Sequence, residues 1–115
     1  MGLRWQSLVV DCADVKRVGT FWSQALGLPL QGPDNGEWWI EPGGDHPDIL
    51  FEHVPEKKSV KNRLHLDLRP AADQPAEVER LIGLGARRID IGQGDVPWVV
   101  MADPEGNEFC VLAPR

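Results

Sequence analysis

The chain has 115 residues, with 12 Lys+Arg against 18 Asp+Glu and a formal net charge of −6, a length suited to one domain. Its 42% apolar and 26% charged residues are enough for a core and exclude a disordered tail. An acidic chain without a Lys/Arg cluster excludes a nucleic-acid partner, and no apolar run reaches the ~20 residues of a membrane-spanning helix.

The opening Met1-Gly-Leu-Arg-Trp5 lacks the charged-then-apolar order of a signal peptide, so a cytoplasmic domain is expected. Cys12 and Cys110 form neither a CxxC pair nor a metal-finger spacing. In a reducing compartment they are expected as free, partly buried thiols. Five tryptophans and no tyrosine point to a large-residue core or an aromatic-lined cavity.

Arg4 to Asp11 holds Leu8-Val9-Val10 and reads as a strand. A helix follows over about residues 14–26. Asp14 is its cap, and Val15, Val18, Trp22 and Ala25 form one apolar stripe. Trp22 on that stripe belongs to the core. Gly27 ends the helix and Pro29 prevents its resumption. Gln31 to Gly36 reads as a turn cluster. Strands are expected over 37–41 and 49–54, separated by the Pro42–Pro47 loop. Trp38 and Trp39 are consecutive, so they point to opposite faces; the sequence does not say which faces which way.

After a polar linker, Arg63-Leu-His-Leu-Asp-Leu-Arg69 alternates strictly. A strand there puts Leu64, Leu66 and Leu68 on one face and Arg63, His65, Asp67 and Arg69 on the other. Asp73 and Pro75 suit a helix start. Val78, Leu81 and Ile82 give that helix its buried face, and Gly85 ends it. Strands are expected over 86–91, 97–102 and 107–112, with Asp103-Pro104-Glu105-Gly106 as a β-turn. Gly92 to Pro97 reads as a flexible loop, without the Lys-Ser/Thr of a phosphate loop.

With Leu28 to Val54 read as strands joined by turns, the order β-α-β-β-β occurs twice. When the halves are overlaid, Ser7 falls on His65 and Phe51 on Cys110. The expected fold class is α+β: two tandem βαβββ modules forming a cup-shaped, mostly antiparallel sheet with helices outside. Module one covers about 1–55, the linker about 56–61 and module two about 62–115 of a single domain, 1–115.

Several motifs together resemble the vicinal oxygen chelate superfamily, the glyoxalase / bleomycin-resistance / dioxygenase group. They are Asp11-Cys-Ala-Asp14 leading into a helix with Phe21-Trp22, Leu26-Gly27, Leu64-His-Leu-Asp67, and Asp103-Pro-Glu-Gly-Asn107. Lys61 to Leu68, Asp95-Val-Pro-Trp98 and Glu108-Phe-Cys110 further resemble small actinobacterial glyoxalase-like domains. The resemblance implies a small-molecule site in the cup and often a homodimer. It also implies a divalent metal in many members (zinc, nickel, manganese or iron), held by His, Glu or Gln from the first and last strands of each module. Carried over, those positions are Ser7, Phe51, His65 and Cys110, and His65 alone matches in type. A one-residue change of register would turn Glu52 inward instead of Phe51.

The ligand-binding candidates are thus Ser7, Phe51, His65, Asp67, Trp98 and Cys110. A carboxylate two residues from His65 makes it the catalytic candidate, as an acid/base or a metal ligand. Trp98, on the face of Val100 and Ala102, is either a stacking platform or core. Arg63 suits a carboxylate or phosphate on a ligand, while Arg69 reads as a solvated strand end. Three functions follow. One is a binder of a small aromatic or hydrophobic molecule. The second is a metal-dependent lyase, isomerase or dioxygenase using His65. The third is a non-catalytic interaction module.

Overall fold

A computed structural model describes residues 2–115. The chain divides into two compact units, the second beginning at Lys58. Each holds one helix and one four-stranded sheet.

In the first unit, β1 (Ser7–Cys12) leads into α1 (Val15–Leu26), followed by β2 (Gln31–Asp34), β3 (Glu37–Ile40) and β4 (Asp48–His53). The helix begins where expected because the Asp14 carboxylate accepts the Arg17 N–H at 3.1 Å. It ends where expected because Gly27 takes the left-handed conformation, φ 68°. Val15, Val18, Phe21 and Trp22 are buried. The Phe21 and Trp22 rings meet edge to face at 5.1 Å.

The sheet order is β1-β4-β3-β2, with β1 parallel to β4 and the other pairs antiparallel. Strand β2 lies inside the segment read as a turn cluster. The turn is confined to Asn35 and Gly36, whose positive φ values of 51° and 77° make a two-residue hairpin. Gly32 is needed within this hairpin: a Cβ there would stand 2.7 Å from the Glu37 carbonyl oxygen.

The second unit repeats the order as β5 (Asp67–Leu68), α2 (Gln74–Leu84), β6 (Arg87–Arg88), β7 (Val99–Ala102) and β8 (Glu108–Val111). Its sheet is β5-β8-β7-β6, again with one parallel pair, β5 with β8. The Asp73 carboxylate caps α2 through the Ala76 N–H at 3.0 Å. Val78 and Leu81 are buried, whereas Ile82 faces outward. The strand expected over 63–69 shrinks to two residues, because the chain bends at Arg63 and Leu64. Leu64 is consequently 81% exposed and leaves the leucine face.

Asp103 is fully buried in the turn between β7 and β8. Its Oδ1 accepts the backbone N–H groups of Glu105 (2.9 Å) and Asn107 (3.0 Å), and the Asn107 side-chain amide donates to both carboxylate oxygens. Asp103→Ala removes the acceptor for two turn N–H groups. It is expected to destabilise the fold by about 2–4 kcal/mol in urea unfolding. A loss below about 0.5 kcal/mol would show that the turn does not depend on this carboxylate.

Candidate functional site

The second unit brings three of the expected residues together. The carbonyls of Leu66 and Leu68 accept the N–H groups of Cys110 (2.9 Å) and Leu112 (2.7 Å). That ladder sets Asp67 opposite Cys110. Residues opposite each other on adjacent strands point the same way, so the carboxylate and the thiol stand side by side. His65 lies two residues before Asp67, with its Nε2 3.2 Å from Asp67 Oδ1. One donor atom from each of His65, Asp67 and Cys110 lies within 4.8 Å of the other two.

The face they occupy follows from the register. Arg88 in β6 reaches Glu79 of α2, 3.9 Å away, so its face of the sheet is the α2 side. Arg88 pairs with Met101 and Met101 with Phe109. Cys110 has the opposite parity and therefore lies, with Asp67, on the helix-free face. Burial is graded across the cluster. Cys110 is 6% exposed, whereas the His65 and Asp67 side chains are 44% and 52% exposed. A buried sulfur thus lies beneath an imidazole and a carboxylate that meet water.

Burial pushes the Cys110 thiol above the ordinary cysteine range, and the charge and hydrogen bonding of Asp67 push it further; Lys61 opposes them. The thiol is therefore protonated at neutral pH and is a poor nucleophile.

Val100 is the register partner of Cys110 across β7. Trp98, two residues earlier and just outside β7, is 39% exposed. The Gln74 side-chain amide holds this region by donating to the Pro97 and Val111 carbonyls, each at 3.0 Å. Arg69 donates to the Ala113 carbonyl at 2.6 Å, a strand-end contact. The Gly92–Pro97 loop is folded on itself by Asp90 and Gln93, which accept the Gly92 and Ile91 N–H groups.

The first unit has no such cluster among its described residues. Ser7 is half-buried and pairs with Asp48. Phe51 is fully buried, and its ring would lie 3.4 Å from a Cβ placed on Gly19 of α1. It therefore faces the helix, which corrects the expectation that it shares a ligand face with Ser7. That face carries Asp48, Leu50 and Glu52 instead, opposite Ser7, Val9 and Asp11. Trp38 pairs with Phe51, and the Lys16 ammonium of α1 lies 5.8 Å from its ring centre, so Trp38 is on the helix side. Trp39 pairs with Leu50 on the other face and donates to Glu41 at 2.8 Å.

The sequence reading missed the contact that fixes the approach to His65. Lys58 Nζ lies 2.9 Å and 3.1 Å from the two carboxylate oxygens of Glu108, and the Asn62 N–H donates to that carboxylate at 3.0 Å. Lys58 also donates to the Val60 carbonyl. The clasp ties the segment before β5 to β8, two residues from Cys110. Nothing local announces it, since the partners are 50 and 46 residues apart.

The cluster fits a divalent metal by its donor chemistry. Imidazole nitrogen, carboxylate oxygen and thiolate sulfur are the three donor types that bind zinc, and three protein donors leave a position open.

A glyoxalase-like domain family matches residues 7–112. The chain belongs to that family. No curated protein matches the sequence. Similar solved structures include a glyoxalase/bleomycin resistance protein/dioxygenase family enzyme from Burkholderia phytofirmans PsJN. It is 16% identical, with a TM-score of 0.70, over 98% of this chain and 100% of that one. A glyoxalase-related enzyme from Fulvimarina pelagi is 13% identical, with a TM-score of 0.70, over 96% and 87%. The oxidase ChaP-H2 is 12% identical, with a TM-score of 0.64, over 100% and 96%. At these identities the likeness is one of fold. Among the described residues, no helix of this glyoxalase-like domain is long and apolar enough to cross a membrane.

Burial raises the Glu108 carboxyl, but the Asn62 N–H and the Lys58 ammonium outweigh it and hold the group below the ordinary carboxylate range. A depressed acid adds stability above its unfolded-state value, ~4.3 for Glu, and loses it as pH falls through the folded-state value. Glu108→Gln is expected to lose about 1–2 kcal/mol at neutral pH. That difference should vanish on acidification through and below the carboxylate range. A pH-independent difference would assign the loss to packing.

Proposed function

We propose that this glyoxalase-like domain binds a small aromatic or hydrophobic molecule on the helix-free sheet face of its second module. The observation that carries the reading is the graded cluster: His65 and Asp67 meet water above a buried Cys110, whose register partner on β7 is Val100, with the 39% exposed Trp98 two residues before Val100 in the chain. A few directed polar groups beside an apolar wall are what a small-molecule site needs. His65 and Asp67 would orient a polar edge of the ligand, and Trp98 would stack on its ring.

A second reading is a metal-dependent lyase, isomerase or dioxygenase in which His65 is a metal ligand or acid/base. The three donor types within 4.8 Å favour it. A bound metal would supply Lewis-acid polarisation of a substrate oxygen. The domain would work in the cytoplasm. It would sit with the small actinobacterial glyoxalase-like domains, as the Lys61–Leu68 and Glu108–Cys110 motifs suggest. It would act as a homodimer, for which Leu3, Trp5 and Leu64 offer largely exposed apolar side chains.

A panel of planar aromatic molecules, screened by tryptophan quenching, is expected to give a saturable hit with one site per chain. Trp98→Ala and His65→Ala should each weaken that hit by about tenfold or more, with circular dichroism unchanged. Equal binding in both variants would remove the site from this face. Under the second reading, His65→Ala should abolish turnover in a folded protein; surviving turnover would end that role. For the homodimer, light scattering should give twice the 12.8 kDa chain mass, falling to one chain in Trp5→Glu/Leu64→Glu. A monomeric wild type would overturn it.

A further inference from the structure

We infer that residues 58–66 form a strap that carries His65 over Cys110, that Glu108 is its latch, and that release of the latch opens the site while the module stays folded. The inference concerns the regulation of the proposed small-molecule site and rests on that reading for what the opening admits. The opening itself is measured without the ligand.

The first observation is where the strap lies. Residues 58–66 belong to neither a helix nor a strand. Glu108 has the parity of Cys110, two residues on, so both side chains are on the helix-free face. Lys58 Nζ comes within 2.9 Å of the Glu108 carboxylate, and the Asn62 N–H donates to it at 3.0 Å. The strap therefore meets the sheet on this face. It then runs on to the thiol. A ring nitrogen of His65 lies within 4.8 Å of the Cys110 sulfur, and the Leu66 carbonyl accepts the Cys110 N–H at 2.9 Å. The positive charge of Lys61 also acts on that thiol.

The second observation is how little holds it. Of the three apolar side chains in the strap, Val60 and Leu64 are 76% and 81% exposed, so hydrophobic burial anchors it weakly. Two of its own hydrogen bonds stay inside it, from Lys58 to the Val60 carbonyl and from Lys61 to the Asn62 carbonyl. Among the described residues, Glu108 is the one group outside the strap to which residues 58–64 hydrogen-bond.

The third observation is that the body beneath is held without the strap. Strands β7 and β8 pair from Val99 with Val111 to Ala102 with Glu108, and Asp103 closes the turn between them. A segment with one polar tether, set against a sheet with its own ladder and core, opens at a lower free energy than the sheet unfolds. Glu108 is thus a positioning residue: it touches no reacting atom and acts on the site through the strap and His65.

The test is alkylation of Cys110 by iodoacetamide on the full chain, located by mass spectrometry. It is run at one fixed pH, in urea from none to about 1 M, below the unfolding transition. The wild-type rate is expected to stay flat across that range, because opening the strap exposes little surface. Backbone amides of residues 58–66 should exchange faster than those of β7 and β8, and with as little response to urea. Glu108→Gln and Lys58→Met should each raise the alkylation rate at least about tenfold and leave it flat in urea. A wild-type rate that climbs with urea in step with global unfolding overturns the strap. Unchanged rates in both variants overturn Glu108 as its latch. If Glu108→Gln does not fold, Lys58→Met, which keeps most of the apolar stem, decides alone.

Flat, latch-dependent labelling of Cys110 without any aromatic hit would uphold the strap and sink the small-molecule reading alone. An aromatic hit on a chain whose Cys110 is labelled only through unfolding would sink this inference alone.

Discussion

The parallel pairing of β5 with β8 is the constraint on which the candidate site depends. Two residues of strand, Asp67 and Leu68, hold it. A shift of one residue would turn Asp67 toward α2 and bring Leu68 beside the thiol. A two-residue ladder is too short to fix its own register, so the fixing comes from its flanks. Upstream, Lys58 and Asn62 are clasped to Glu108 on β8. Downstream, Arg69 is tied to the Ala113 carbonyl. Both anchors join the β5 side of the pair to the β8 side, so any slip would have to break a partly buried ion pair. The Lys58 and Glu108 side chains are 18% and 11% exposed, so the pair is screened less than one on the open surface.

The same logic explains the local order around β7 and β8. Asp103 has no exposed surface, and its polar side chain is tolerable there because backbone and side-chain N–H groups donate to it. By closing that turn it aligns Val100 with Cys110. Gln74 then links the first turn of α2 to the carbonyls at Pro97 and Val111. Trp98 follows Pro97 in the chain and directly precedes β7, so its backbone lies next to the Gln74 contact.

What could be read in the amino-acid order was the punctuation. Asp14 with Gly27, Asp73 with Gly85, and the Asp103–Gly106 turn act within a few residues, and their chemistry is visible in one stretch of chain. Strand parity was harder. Ile49, Leu50 and Phe51 are all apolar, so no alternation marks which faces the helix, and only pairing with β1 and β3 assigns Phe51 to it. Strand β2 was hidden by Gly32 and Pro33, which signal a turn although the turn proper is Asn35-Gly36. The alternation from Arg63 to Arg69 promised a long strand, yet β8 offers partners only from residue 66 onward, and Leu64 is left outside. At the site, the His65 and Asp67 pair was legible from the alternation, and the resemblance grouped His65 with Cys110. That Asp67 stands directly opposite Cys110 was not legible, because it needs the register.

The two modules share a topology but not a chemistry, and the difference lies in one matched pair. Anchoring the repeat at Ser7 and His65 makes Val9 correspond to Asp67. The partner of Val9 is Leu50, and the partner of Asp67 is Cys110. The first module thus puts two aliphatic side chains where the second puts a carboxylate and a thiol. In the first module that face has its polar groups on either side of this pair, Ser7 with Asp48 before it and Asp11 with Glu52 after it, the last two being direct partners of like charge. Such a pair repels, and it persists because both residues are exposed to water and salt. Two adjacent carboxylates in water hold an ion only loosely. A buried sulfur with an imidazole and a carboxylate above it instead brings three unlike polar groups into one place.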